Sequence, residues 1–179
     1  MRPENEARLQ KIQRVSGFLR GVCKVILGLF VLVFILILGA LVAAGWIDNE
    51  IYVGFNGVSF DVRDLTVCGR LAVGALSAVV LGILFKGVYH LHRLLGNYSR
   101  GEFFTVDSAV QIRQWGVCYL LWSGANLIWP FMPHLISGAA VKPGVDIDLI
   151  VLTNGVILIV LSWFMEMAAE MREEQELIV

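Results

Sequence analysis

Charge is scarce in this chain. Of its 179 residues, 16% are Asp, Glu, Lys or Arg, against about 25% in an ordinary soluble domain. The balance of 14 basic and 15 acidic residues leaves a net charge of −1, so the bulk charge does not point to nucleic-acid binding. Cysteine is also sparse. Cys23, Cys68 and Cys118 are scattered, with no C-x-x-C or Cys/His spacing, which excludes a disulfide framework and a zinc module. They read as small apolar packing residues. His90 and His92 are two apart and diverge on a helix, and His134 stands alone beside Pro133, so no joint metal set is expected. There is no P-loop, G-x-G-x-x-G, H-E-x-x-H or G-x-S-x-G motif. No catalytic residue, metal or cofactor is expected, and the chain reads as a non-enzyme.

Apolar residues are what the sequence has in plenty. They make up 58% of the chain, and mean hydropathy is +0.75. Both values exclude an ordinary water-soluble globule and a disordered chain. The first long run, Val25–Ile47, holds 23 residues without a charge. A secretory h-region is only about 7–15 residues long, so this run reads as an uncleaved anchor. A crossing helix needs about 20 mostly apolar residues, and helices are required because hydrocarbon leaves no partner for open backbone. Four segments meet or approach that length. The expected fold is an all-α membrane protein, a four-transmembrane-helix bundle with a small extracytoplasmic β-hairpin. Its parts are a basic amphipathic segment 1–24, spans over 25–47, 67–91, 114–137 and 147–168, an external hairpin loop 48–66, a cytoplasmic loop and amphipathic helix 92–113, an external loop 138–146, and an acidic tail 169–179. In the second span Arg70 and Lys86 must snorkel. The third is interrupted by Pro130 and Pro133.

Orientation follows from the basic residues. With both termini and the middle loop inside, eleven Lys and Arg lie on the cytoplasmic side and three outside. Both ends are therefore expected in the cytoplasm.

Among the connections, Asn56-Gly57 signals a two-residue type I′ turn. It sets Phe55 opposite Val58, Val53 opposite Phe60 and Ile51 opposite Val62, all apolar and on one face. The loop Pro143-Gly144 reads as a simple turn. In the middle loop Thr105 is placed to cap a helix, with Asp107 in its first turn. Leu9, Ile12, Val15 and Leu19 recur at helical spacing beside Lys11 and Arg14, which fits an interfacial helix or an anchor leading into the first span. Glu166, Glu170 and Glu174 form an i, i+4 stripe on the tail. It reads either as a solvated face or as a docking surface for a basic partner.

Several residues suggest packing or polar joints inside the membrane. Gly74, Ala78 and Gly82 form a small-xxx-small row on the second span, suited to close helix approach. The row continues into Lys86, and Glu166 sits at a comparable depth on the fourth span. A Lys86–Glu166 clamp is one expectation; two independent snorkelling charges are the alternative. Depth arithmetic places Asn126 and Asn154 at one height, and Pro130 removes the N–H that would serve the Asn126 carbonyl. An Asn126–Asn154 joint between the third and fourth spans follows. Trp115, Trp122 and Trp129 recur every seven residues on one side of the third helix. No acidic residue falls at mid-membrane and no inverted repeat is visible.

Two short motifs carry a family likeness. The loop Arg100-Gly101-Glu102-Phe103-Phe104-Thr105 leading into a helix, and the ending Arg172-Glu173-Glu174-Gln175-Glu176-Leu177, resemble the uncharacterised bacterial four-span family catalogued as domain of unknown function 2975. The resemblance runs from the first span to the C-terminus. The family loop carries a basic residue and a proline where Glu102 and Phe103 stand here. The resemblance implies a bacterial inner-membrane protein paired with a small cytosolic DNA-binding regulator of the helix-turn-helix type. The expectation is a non-enzymatic membrane interaction or sensory protein. It would dock its partner through Arg100, Gly101, Phe103, Phe104, Glu170, Arg172, Glu173 and Glu174. The alternative is a small-molecule transporter or channel subunit working as a homo-oligomer.

Overall fold

The computed structural model describes residues 3–43, 52–55, 58–61, 66–128, 131 and 148–177; the side chains of 3–8, of both strands, of 173 and of 175–177 lie outside that description. Among the described residues the chain is helical apart from one strand pair. Helix α1 spans Pro3–Ala43, α2 Val67–Ser99, α3 Val106–Ile128 and α4 Leu149–Leu177, with strands β1 (Tyr52–Phe55) and β2 (Val58–Asp61) between α1 and α2. The strands pair antiparallel, with Val53 opposite Phe60 and Phe55 opposite Val58. Their turn residues Asn56 and Gly57 lie outside the described residues, as do Trp129, Pro130, Pro133, His134 and the connection 138–146.

Three helices, α1, α2 and α4, are long and apolar enough to cross a membrane. Helix α3 does not reach that threshold over its described length. Asp107, Gln111, Arg113 and Gln114 take up its first half, and the apolar stretch that follows is described only as far as Ile128.

The N-terminal segment is not a separate surface helix. It continues without a break into the first apolar run, giving one helix of 41 residues. No proline interrupts it, and its inner face is held along α2. Ser16 and Cys23 are buried there, and the His92 ring N–H donates to the Arg20 carbonyl at 3.2 Å.

Local chemistry sets the helix ends. Thr66 Oγ1 accepts from the Gly69 N–H at 3.2 Å at the start of α2, and Asp148 Oδ1 accepts from Ile150 and Val151 at the start of α4. Helix α2 ends where Gly101 adopts φ +85°. There the N–H groups of Arg100 and Glu102 donate to the Asn97 carbonyl and that of Gly101 to Tyr98, the usual way a glycine closes a helix.

The helices pack in chain order: α1 on α2, α2 on α3, α3 on α4, each antiparallel to the one before. No other helix pair shares a comparable interface among the described residues. Among the described residues the four helices therefore form an open row, not a closed bundle, with α1 and α4 at its edges.

The closest helix approach in the row is between α3 and α4. A Cβ placed on Gly116 would lie 2.9 Å from the Gly155 carbonyl, and one on Gly155 would lie 3.1 Å from the Gly116 carbonyl. Only glycine fits at either position. The row Gly74, Ala78, Gly82 behaves differently. Gly74 meets the Leu41 side chain at 3.1 Å, but nothing lies within 4 Å of Gly82. There Phe30 and Phe34 of α1 face Ala78 and Gly82 across an apolar groove of about 200 Å³. A second groove of about 530 Å³ lies between Leu38, Val42, Leu71 and Gly74, with Arg70 at its rim.

Candidate functional site

The densest polar cluster lies where α2 turns into α3. Its centre is Asn97, 4% exposed on the last turn of α2. The Arg100 guanidinium donates to Asn97 Oδ1 at 2.9 Å. That commits the amide oxygen, so the Asn97 amide N–H groups point the other way. They donate to Asp107 Oδ2 at 2.7 Å and to Ser108 Oγ at 3.3 Å. Ser108 is fully buried; its backbone N–H donates to Thr105 Oγ1 at 3.2 Å, which is the helix cap expected for Thr105. Its hydroxyl donates to the Glu102 carbonyl at 3.2 Å. Thr105 Oγ1–H donates to Ser108 Oγ at 3.0 Å.

Asp107 collects the donors. Besides Asn97 it accepts from Gln111 Nε2 at 3.3 Å and pairs with Arg93 at 3.5 Å. Gln111 in turn takes the His90 Nδ1–H at 2.7 Å on its amide oxygen. The Asn97 hydrogen bond, with help from Gln111, Arg93 and Arg100, holds the Asp107 carboxyl below the ordinary carboxylate value despite partial burial. Helix α1 closes the third side. The Arg20 guanidinium lies flat against Gly96, with a Cβ there 3.4 Å from Cζ, and Gln13 Nε2 would lie 3.0 Å from a Cβ on Gly101. The turn is thus tied from α1, α2 and α3 at once, a rigid joint rather than a loose loop. Among the described residues no group of His, Cys, Asp and Glu is placed to hold a metal ion.

Of the expected interaction residues, Arg100 and Gly101 sit in this joint, where Arg100 is exposed beyond its Asn97 contact and pairs with Glu102 at 3.7 Å. The Phe103 ring packs on Tyr98 with centroids 5.4 Å apart, while Phe104 is 54% exposed. Glu170, Arg172 and Glu174 are exposed on the last turns of α4; the Glu173 side chain lies outside the described residues.

The two expected polar pairs inside the row are not formed. Glu166 pairs with Arg113 of α3 at 3.6 Å, and Lys86 is exposed. Helix α3 stands between α2 and α4, so a residue on α2 cannot reach Glu166. Asn126 and Asn154 are also apart. Gly155 faces α3, and the preceding residue is turned by about 100°, which leaves Asn154 exposed. Because Gly116 meets Gly155, Asn126 lies about 14 Å beyond the level of Asn154 at a rise of ~1.5 Å per residue. The depth arithmetic had assumed that both helices begin at the membrane boundaries.

Sequence reasoning missed Asn97, Ser108 and Gln111, the members of the joint that are most buried. Their signal was present: polar residues on either side of Arg100–Thr105, spaced to meet across a tight turn. The glycines Gly116 and Gly155 were also missed, because a single glycine on each of two helices makes no repeat.

No curated protein and no solved structure matches the chain. A family model does match, over residues 58–179, from the second strand to the C-terminus. By that match the chain belongs to the family described as protein of unknown function (DUF2975).

Proposed function

We propose that this chain is a non-enzymatic, multi-pass protein of the bacterial inner membrane, with four spans, a hairpin outside and both termini in the cytoplasm. It holds a cytosolic regulator at the end where α2 turns into α3. The observation that carries this reading is the rigid joint. Its polar side chains are spent on one another, so it is built to present a fixed surface rather than to perform chemistry. That surface offers Arg100, Glu102 and Phe104, all exposed, at the same end of the row as exposed Glu170 and Glu174.

Helix length supports placing this end outside the lipid. At ~1.5 Å per residue α1 is about 60 Å long, α2 about 50 Å and α4 about 43 Å, against a hydrocarbon core of about 30 Å. The excess falls at the joint end, where the Lys and Arg residues favour the cytoplasm. The acidic end of α4 suits a basic partner, and the family resemblance points to a DNA-binding regulator of the helix-turn-helix type. The alternative, a transporter or channel subunit, fits less well. Both grooves described between α1 and α2 are lined almost wholly by apolar side chains, and a polar solute needs a polar path.

The test is capture of the partner by the tagged protein extracted from its native membrane. The expected result is a stoichiometric, basic, DNA-binding protein. It is lost when Arg100→Glu and Phe104→Ala are combined, and lost again when residues 170–179 are removed, while both variants stay monodisperse in detergent. A chain that brings down no stoichiometric partner, or one that ignores both changes, would overturn the reading.

A further inference from the structure

The two edges of the open row are complementary at the joint end. Four contacts fix their heights: His92 on the Arg20 carbonyl, His90 on Gln111, Arg113 on Glu166, and Arg20 on Gly96. Together they set Arg20 of α1 level with Glu166 of α4 to within about one helical turn. Below that level α1 runs back toward its N-terminus and α4 runs on toward its C-terminus, in the same direction. Over this stretch the described side chains of α1, from Leu9 on, include exposed Lys11 and Arg14 and no acidic residue, and α4 exposes Glu170 and Glu174 with Arg172 between them. Both stretches also expose large apolar side chains, Ile12, Val15 and Phe18 on α1 and Met167 and Met171 on α4. The charge-free run Val25–Ile47 already spans the ~30 Å of hydrocarbon, and Lys24, Arg20, Arg14 and Lys11 precede it. Lipid tails therefore do not cover Ile12, Val15 and Phe18.

Within one chain these two surfaces cannot meet, because α2 and α3 lie between them. Between two chains they can. We propose that the basic, apolar N-terminal third of α1 packs against the acidic, apolar end of α4 in a second copy of this chain. Position 15 then lies beside position 171, Arg14 beside Glu170 and Glu174. The contact is heterologous: each copy offers a different edge, so the row continues from copy to copy until it closes into a ring or runs on as a filament. Gly17 within the contact and Gly21 and Gly28 above it have nothing within 4 Å and leave room for the neighbouring helix. The proposal does not rest on the docking reading and competes with it for Glu170 and Glu174. It holds for the purified chain with no cytosolic partner present.

The experiment uses two differently tagged copies, one carrying Val15→Cys and the other Met171→Cys, both with the exposed Cys68→Ser. They are purified, mixed and reconstituted in neutral phosphatidylcholine vesicles, so that anionic lipid does not compete for α1. Oxidation is expected to give the mixed 15–171 product in excess of the two like-with-like products. Reversing the charges on one copy, Lys11→Glu with Arg14→Glu, abolishes the mixed product. Adding Glu170→Lys and Glu174→Lys to the other copy restores it, which also shows that the reversed chain is folded. Four outcomes overturn the proposal: like-with-like products alone, which mean a symmetric dimer; no product, which leaves lipid as the only cover; a product that survives the reversal; and a reversal that the second pair fails to rescue.

Discussion

Asn97 shows how much one side chain can organise. It sits at the end of α2 with its oxygen committed to Arg100 and its amide group to Asp107 and Ser108. An apolar replacement of similar size keeps the packing and removes every one of these bonds, leaving Ser108 fully buried with a partner lost. A buried polar group left short of a partner costs about 1–3 kcal/mol. Asn97→Leu should therefore lower the thermal midpoint in detergent, and Arg100→Leu should lower it less, because it strands one buried atom, Asn97 Oδ1, and leaves the Asp107 and Ser108 bonds in place. Asp107 gives the joint a pH dependence of definite sign. Its carboxyl is held below the ordinary value of 3.8, first by the Asn97 hydrogen bond. A carboxylate with a depressed folded pKa stabilises fully above its unfolded pKa, and the contribution disappears as pH falls through the folded value. The stability difference between the natural chain and Asp107→Asn should be constant near neutral pH and shrink only below pH 3.8. Thermal melts of both proteins across that range check it. A difference that already falls between neutral pH and the ordinary carboxylate range would overturn the assignment to Asp107.

At the level of elements, the sequence announced the helices more clearly than their neighbours. Val25–Ile47 could be read as a span because an uninterrupted apolar run of that length has few other uses. The cap at Thr105 could be read because the motif is local. Helix pairing is not local, and the two polar matches between spans assumed an adjacency and a depth that only packing decides. Gly74, Ala78 and Gly82 form a close-contact row in the sequence, yet only Gly74 meets α1 closely, and Ala78 and Gly82 line an apolar groove with Phe30 and Phe34. Gly116 and Gly155 made no pattern, yet each lies against the other's backbone carbonyl. This difference can be measured. Gly116→Ala and Gly155→Ala must push α3 and α4 apart, and overpacking of this kind costs about 1–3 kcal/mol. Gly82→Ala meets open space and removes a poor helix former, so it should be neutral or raise stability by up to ~1 kcal/mol. Unfolding of the three variants in one detergent should give that order. Equal losses at all three positions would mean that the Gly74 row is packed as tightly as the α3–α4 seam.

For the whole molecule, the governing fact is that three of the described helices are longer than a bilayer is thick; the proposed placement puts the excess at the joint end. Helix α1 alone is 41 residues, about twice the length needed to cross. Tilt absorbs only part of that: tilts average about 20°, which shortens the projected length by a few per cent. The proposed placement sets the N-terminal third of α1 in water beside the joint and the end of α4, and the proposed orientation, from the basic residues, sets this end in the cytoplasm. Single cysteines introduced at Ile12, Arg14 and Met171, with Cys68→Ser, are expected to react with a membrane-impermeant maleimide only in inverted vesicles. A cysteine at Ile35, midway along the lipid-facing part of α1, should react in neither orientation. Labelling of position 12 from the outside of intact cells would reverse the orientation. Labelling of positions 12 and 171 from opposite sides would do more: α1 and α4 would then not share an end, and the contacts that tie Arg20 to His92 and Glu166 to Arg113 could not coexist in one row.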